Sequence, residues 1–457
     1  MITHTFYALV LYQAQILYNQ DLGNGYFLFD IKEKTMGKII VEFKKGNKKK
    51  GILFVHKDFN TDRVDYQTNN WFIVGEKSLV EFVGKKILDN EHEDFNFFKT
   101  SEEYIGKIFG VVLTITTHCN LACYYCFNDY DYNLDQRNFI KPLTFEQIKG
   151  IVDDLYKNGC RDIIISGGEP LLHYDFFNII DYCLNKGIYV RVNTNGDLLN
   201  SRIVDKIIQY PINLMVSIHE FNEKDYAYTN VRGFSEIYKK DVPEEVFYKK
   251  FRNKIENLKI IYKYPNINLE FMTILDNKNI INLEKIYDFC LNQFGITQWH
   301  FFRLYSTKIS KGISKGMMSL AIRKLYNLNK KYNVDYKIVD AVPFCVTRKT
   351  DLAEKVIEGE LADNHNVKFI ITNEGGFQLM SGFDTVVGSV FEESISELLS
   401  KEFTQKMLNN GFLPNECLDC VYKNHCKGGS RMEAHIATGS YADFDPLGKI
   451  ANKKCQI

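Results

Sequence analysis

The stretch VVLTITTHCNLACYYC, residues 111–126, decides how this chain reads. Its first half is a run of apolar and β-branched residues, as a buried strand requires. Its second half carries three thiols, Cys119, Cys123 and Cys126, with three residues between the first pair and two between the second. A structural clip, a disulfide donor and a metal cradle are the roles open to such a cluster.

Outward from this stretch the pattern alternates. LTFEQIKGIVDDLYKNG has helical spacing, RDIIISG reads as a strand, YDFFNIIDYCLNKG as a helix and YVRVNTNG as a strand. NLMVSIH, INLEFMTIL and TQWHFFRLY supply three more strands, with VFYKKFRNKIENLKIIY and NLEKIYDFCLNQF helical between them. Six strands separated by helices are the pattern of parallel βα units, with apolar runs such as IIIS buried on both faces. Loops at the carboxyl ends of such strands converge on the active site, so a thiol loop there faces the ligand pocket. Three soft thiolates suit an iron–sulfur or zinc centre, and with no fourth cysteine in the loop one metal position stays open to an external ligand.

Composition narrows the partners. The chain has 457 residues, 45% hydrophobic and 25% charged, with Lys+Arg and Asp+Glu both at 57. Balanced charge provides no field for nucleic acid or an anionic membrane. The N-terminus, MITHTFYALVLYQAQILYNQ, lacks a basic start, and no apolar run approaches the roughly 18 residues of a membrane span. A cytoplasmic location is expected, where eleven cysteines argue for metal or chemistry rather than a disulfide framework.

Three regions follow. Residues 1–107 hold the strand-like YFLFDI, KIIVEFKK, GILFVH and WFIVG and the helix-like KSLVEFVGKKILDN, an α+β module; the basic KKGNKKKG (44–51) reads as a solvated turn. Residues 108–305 hold the βα series. Residues 306–457 are less regular and carry five cysteines, three of them in CLDCVYKNHC as Cys417, Cys420 and Cys426, with Cys345 and Cys455 apart. Cys160, Cys183 and Cys290 sit in apolar helical surroundings and read as core thiols. His118 and His300 read as packed or hydrogen-bonded side chains.

The C-x3-C-x2-C loop, with Tyr125 before its last cysteine, resembles the signature of the radical S-adenosylmethionine (SAM) superfamily. ISGGEP (165–170), NTNG (193–196) and VSIH (216–219) end the second, third and fourth strands, where that family carries its GGEP, TNG and Ser-x-Asp motifs. The resemblance implies a partial (β/α)6 TIM-like barrel. It implies a 4Fe-4S cluster on Cys119, Cys123 and Cys126 whose unique iron binds the amino and carboxylate groups of SAM. The reduced cluster would cleave SAM to a 5′-deoxyadenosyl radical that takes a hydrogen atom from the substrate. Gly167 and Gly168 would let the backbone approach SAM closely, and Glu169 would accept from its ammonium group. Asn195 and Ser217 are candidate SAM contacts, Tyr125 a neighbour of the adenine, and Arg232 in NVRG resembles an arginine that grips the methionyl carboxylate. His219 stands where the family has Asp.

The C-x2-C-x5-C spacing of Cys417, Cys420 and Cys426 resembles the cysteine-rich SPASM domain of peptide-modifying radical enzymes, and ITNEGGFQLM (371–380) resembles its hairpin. Two departures stand out: Ser430 replaces a further cysteine, and Leu379, Met380 and Ser381 occupy the place of the post-hairpin cysteine. One auxiliary 4Fe-4S cluster is therefore expected, on Cys417, Cys420, Cys426 and Cys455, with Cys345 an alternative fourth ligand. What the resemblance implies is a maturase of a ribosomally made peptide, forming a thioether or carbon–carbon crosslink. Its partners would be a precursor peptide, bound with help from the N-terminal module, and an electron donor such as flavodoxin or ferredoxin. The aromatic DYDYNLDQRNF (129–139) is a candidate groove lining. A formylglycine-forming sulfatase maturase is the alternative, although only the displaced Asp384 resembles its base; a non-catalytic metal-binding scaffold is the alternative of another class.

Overall fold

The computed structural model describes residues 110–126, 137–158, 160, 162–186, 188–264, 267–296, 298–307, 310–358, 368–379, 386–409 and 411–448, and before them the backbone of six strands. Those strands are β1 (Gln15–Asp21), β2 (Phe27–Lys32), β3 (Ile39–Lys45), β4 (Lys48–Val55), β5 (Asn70–Ile73) and β6 (Phe95–Lys99). They form two antiparallel sheets ordered β1-β2-β5 and β4-β3-β6. Strands β2 to β5 fall on the four expected segments. The expected helix KSLVEFVGKKILDN, most of DYDYNLDQRNF, Asp384 and Cys455 lie outside the described residues.

The main sheet begins with β7 (Gly110–Thr116), β8 (Asp162–Gly167), β9 (Tyr189–Thr194), β10 (Asn213–Ser217), β11 (Asn268–Leu275) and β12 (Trp299–Arg303). These lie side by side in chain order and parallel. Helices make the crossovers: α1 (Phe145–Lys157), α2 (Phe176–Asn185), α3 (Ser201–Ile207), α4 (Glu223–Tyr238), α5 (Glu244–Ile261), α6 (Asn277–Ile281) and α7 (Leu283–Phe294). The α1 start illustrates the local code: Thr144 caps the Gln147 amide while the Gln147 side chain returns to the Thr144 amide. These are the parallel βα units that the alternating pattern predicts, arranged as the partial TIM-like barrel that the family resemblance implies.

The sheet runs on past residue 305. A short β13 (Lys337–Ile338) adds to β12, and β14 (Lys368–Ile371) lies parallel against β7. β15 (Gly376–Gln378) then pairs antiparallel with β14, so the expected hairpin over 371–380 is built onto the barrel sheet itself. β16 (Gly388–Ser389) closes that edge.

Side chains alternate between two faces along each strand. Ile163 and Ile165, Val190 and Val192, and Leu214 and Val216 join the apolar core with the helices, where Cys160, Cys183 and Cys290 are also packed. The other face is buried as well, as the reading of runs such as IIIS expects, with Ile164 and Met215 on it, and it also carries polar groups. Arg191 meets Asp162 at 2.7 Å, and His300 Nε2 meets Glu270 at 3.1 Å. Glu270 also accepts from Asn213 and Asn268, and its imidazole partner holds its carboxyl below the usual range against the opposing cost of burial.

At the end of β12, Arg303 ties the barrel to the C-terminal segment. Its guanidinium reaches Asp445 at 2.6 Å and the Ala341 carbonyl at 2.9 Å, with Glu433 at 3.7 Å. Asp445 also accepts from the Ser430 and Leu447 amides. Arg303 and Asp445 are both buried, so each charge depends on the other.

Candidate active site

The three-cysteine loop leaves the carboxyl end of β7. His118 Nε2 pairs with the Ile140 carbonyl at 2.8 Å and the Cys119 amide donates to Asn138 Oδ1 at 2.9 Å, so residues 138–140 brace the loop. The Cys126 amide donates to the Cys123 carbonyl at 3.1 Å, which closes the turn through Tyr124 and Tyr125. All three cysteines are half-buried. Among the described residues, no three Cys, His, Asp or Glu converge to seat a single ion. The donors instead share one loop, and their chemistry is that of an iron–sulfur ligand set.

The two tyrosines anchor this loop. Tyr124 donates its hydroxyl to Asp276, which caps α6, and the Arg232 guanidinium lies 5.8 Å from its ring centre. The Tyr125 ring meets the His219 ring edge-on at 4.8 Å. Burial, with the nearby Cys123 thiol, pushes the Tyr125 hydroxyl far above its ordinary range, so it stays protonated.

Beside the loop, the GGEP segment is tightly packed. The Gly168 amide donates to the Thr116 carbonyl at 2.8 Å and the Glu169 amide to the His118 carbonyl at 2.7 Å. A Cβ on Gly168 would lie 2.3 Å from the Thr117 and His118 carbonyl oxygens, and one on Gly167 2.4 Å from the Thr116 oxygen. These glycines therefore admit the neighbouring strand end, where the sequence suggested room for a ligand.

Glu169 is fully buried. Its carboxylate accepts from Thr194 Oγ1 at 2.7 Å, from the Asn195 amide at 2.8 Å and from the Leu171 amide at 3.2 Å. Burial raises its pKa to about 7 although all three donors favour the charged form. The Asn195 side chain turns the other way, donating to Asn120 Oδ1 at 2.9 Å and approaching the Cys119 sulfur at 3.9 Å. One residue thus touches both the buried acid and the cysteine loop.

The remaining predicted residues stand around this centre. Ser217 ends β10, and its carbonyl accepts from Lys254 Nζ at 2.7 Å. Arg232 is half-exposed on α4 and pairs with Glu236 at 2.7 Å. His219 Nδ1 accepts from the Ile274 amide at 3.2 Å; burial, then the Lys254 charge, lowers its pKa to about 3, so the ring is neutral. Sequence reasoning missed three neighbours. Glu220 is buried beside Lys254 with a pKa raised to about 7, chiefly by desolvation. Lys254 is itself buried. Gly233 brings α4 so close that a Cβ there would lie 1.7 Å from the Ala122 carbonyl oxygen of the cysteine loop. The signal for Gly233 was present in NVRG, a glycine inside a helix without a turn to explain it.

The C-terminal thiols form a separate group. Backbone bonds join Cys420 to Cys417 at 3.1 Å, and the Cys426 sulfur accepts from the Phe344 amide at 3.4 Å. Burial raises the Cys426 pKa, opposed by amides of Phe344, Gly428 and Gly429. Cys345, next to Phe344, donates to the Gly448 carbonyl at 3.0 Å. Ser430 is buried and caps the helix Arg431–Thr438.

Residues 113–290 match the family model of the radical SAM superfamily. The AdoMet-dependent heme synthase of Methanosarcina barkeri is 24% identical over 73% of this chain and 93% of its own length. The S-adenosylmethionine-dependent nucleotide dehydratase of Selenomonas ruminantium is 28% identical over 43% of this chain and 66% of its own. Among solved structures, Streptococcus suis SuiB bound to its precursor peptide SuiA aligns over 91% of this chain and 98% of that one, with TM-score 0.59 and 14% identity. The structure of anSMEcpe with bound AdoMet aligns over 74% and 93%, with TM-score 0.55 and 15% identity. At these identities the likeness is one of fold.

Proposed function

We propose that this chain, whose residues 113–290 match the radical SAM family model, is a SAM-dependent radical enzyme acting on a peptide. Cys119, Cys123 and Cys126 would hold the 4Fe-4S cluster and Cys417, Cys420, Cys426 and Cys455 an auxiliary one, with Cys345 the alternative to Cys455. When bound, the reduced cluster and SAM supply a 5′-deoxyadenosyl radical for hydrogen abstraction. The chain's own task is to position the cofactor and exclude water. Glu169, held rigid by Thr194, Asn195 and Leu171, would accept from the SAM ammonium group. Asn195, Ser217 and the Gly167–Gly168 backbone would line the same pocket, Tyr125 would lie near the adenine, and Arg232 would be released from Glu236 to reach the carboxylate.

The observation that carries this reading is the bridge through Asn195, which fixes a buried acceptor and the first cysteine to one residue. A loop of three thiols placed independently of any acceptor would fit a zinc scaffold equally well; the bridge favours a site for an amino acid bound against a metal. The SuiB–SuiA likeness in fold supports a peptide substrate, and the two antiparallel sheets before residue 100 offer edges for strand addition. The bond formed would be a thioether or carbon–carbon crosslink, with formylglycine formation the alternative. A second reading, a porphyrin-type substrate, draws on the heme synthase relative, most of whose length this chain matches. An electron donor of the flavodoxin or ferredoxin kind would serve either reaction. Among the described residues no helix is long and apolar enough to cross a membrane. The eleven cysteines, read as metal ligands and core thiols, favour a reducing compartment such as the cytoplasm.

The test is anaerobic. Protein reconstituted with iron and sulfide and reduced with dithionite should convert SAM to 5′-deoxyadenosine, and the C119A/C123A/C126A variant should not. A colourless protein that leaves SAM intact after reconstitution would overturn the reading. Incubation with a candidate short precursor peptide, against iron coproporphyrin, separates the two substrate classes by mass spectrometry.

A further inference from the structure

Lys254 lies in the middle of α5, in KKFRNKIENLKI, yet it is only 4% exposed. Its Nζ donates to the Ser217 carbonyl at 2.7 Å and stands 5.6 Å from the centre of the Tyr226 ring. No carboxylate lies within 4 Å of it among the described residues; burial lowers its pKa, and Asp197, Glu220, the Cys123 thiol and Glu169 oppose that from further away. A buried ammonium without a contact ion pair is expensive, so a lysine kept here answers a need for positive charge rather than for packing.

The surroundings are shaped to receive it. Gly196 adopts φ +78°, and a Cβ there would lie 3.1 Å from the Lys254 Cε. Asp197 is held by Tyr226 and by Lys250 at 3.5 Å, and its amide donates to Asn195 Oδ1 at 2.9 Å. Asn195 in turn approaches Cys119. The stem of Lys254 therefore packs against Gly196, next to the Asn195 whose side chain reaches the cysteine loop. His219, the nearest imidazole, is neutral and adds no charge, and Lys278 is engaged with Asp225 at 3.1 Å.

Resting on the reading of Cys119, Cys123 and Cys126 as cluster ligands, we propose that Lys254 is a positioning residue for charge. Its fixed ammonium raises the reduction potential of the cluster held by this loop. Adding an electron makes a thiolate-bound cluster more negative, and a fixed cation inside a low-dielectric interior favours that state.

The experiment is a redox titration of the reconstituted holoenzyme, without SAM, following the reduced cluster by electron paramagnetic resonance. Lys254→Met should move the midpoint to more negative potential, with less cluster reduced at a fixed dose of dithionite; Lys254→Arg should stay at the wild-type midpoint. Lys254→Gln keeps a donor for the Ser217 carbonyl without the charge, and it should follow the methionine variant. Should Lys254→Met not fold, Lys254→Gln alone decides. A neutral variant with native iron content and an unshifted midpoint would overturn the proposal while leaving the radical SAM reading intact. Failure of the wild-type protein to bind a cluster at the loop would instead overturn that reading.

Discussion

Glu169 sets two opposite pH dependences. Its pKa of about 7 in the folded protein lies above the ordinary 4.5, so this group's contribution to apo-protein stability falls as pH rises from 4.5 through 7. Its proposed task needs the ionised form, so SAM binding should tighten over the same rise toward pH 8. Glu169→Gln should weaken SAM binding by about 1.5–3 kcal/mol, the worth of a hydrogen bond to a charged group, and should flatten its dependence on pH. Calorimetric titration at several pH values checks both, and the variant is needed because Glu220 titrates in the same range. Gly233→Ala acts by contact alone. A methyl group 1.7 Å from the Ala122 oxygen forces α4 and the cysteine loop apart. An overpacking cost of about 1–3 kcal/mol and reduced iron content after reconstitution are expected, measured by thermal denaturation and iron assay.

At the scale of elements, β12 and the C-terminal segment meet through Arg303 and Asp445. Arg303→Met leaves Asp445 buried without its cation and should cost about 3–5 kcal/mol. The double variant Arg303→Met with Asp445→Asn removes the unpaired charge while keeping an acceptor for a Ser430 or Leu447 amide, and should recover part of that loss in urea denaturation. This tie is invisible in the sequence, because the partners stand far apart in the chain and neither belongs to a motif. The same holds for Lys254, whose helix carries so many lysines that solvent is the natural expectation for each. By contrast, the six barrel strands announce themselves through β-branched runs between amphipathic helices. The GGEP and cysteine motifs are legible because close packing and metal ligation each demand particular residues at fixed spacing. Strands β13 and β14 escape notice because two or four residues have no periodicity, and only the neighbouring strand defines them.

For the whole molecule, the cysteines proposed as ligands divide into the loop after β7 and a C-terminal group. The C119A/C123A/C126A variant should keep roughly four irons per chain on the second group, as one 4Fe-4S cluster requires. Iron assay beside absorbance spectroscopy checks this, and a value near zero would remove the auxiliary cluster. Finally, β14 completes hydrogen bonding along the outer side of β7. That partner is made about 250 residues after β7 emerges, at roughly 5–20 residues per second during synthesis. The strand that leads into the three-cysteine loop thus waits through much of translation with one flank open.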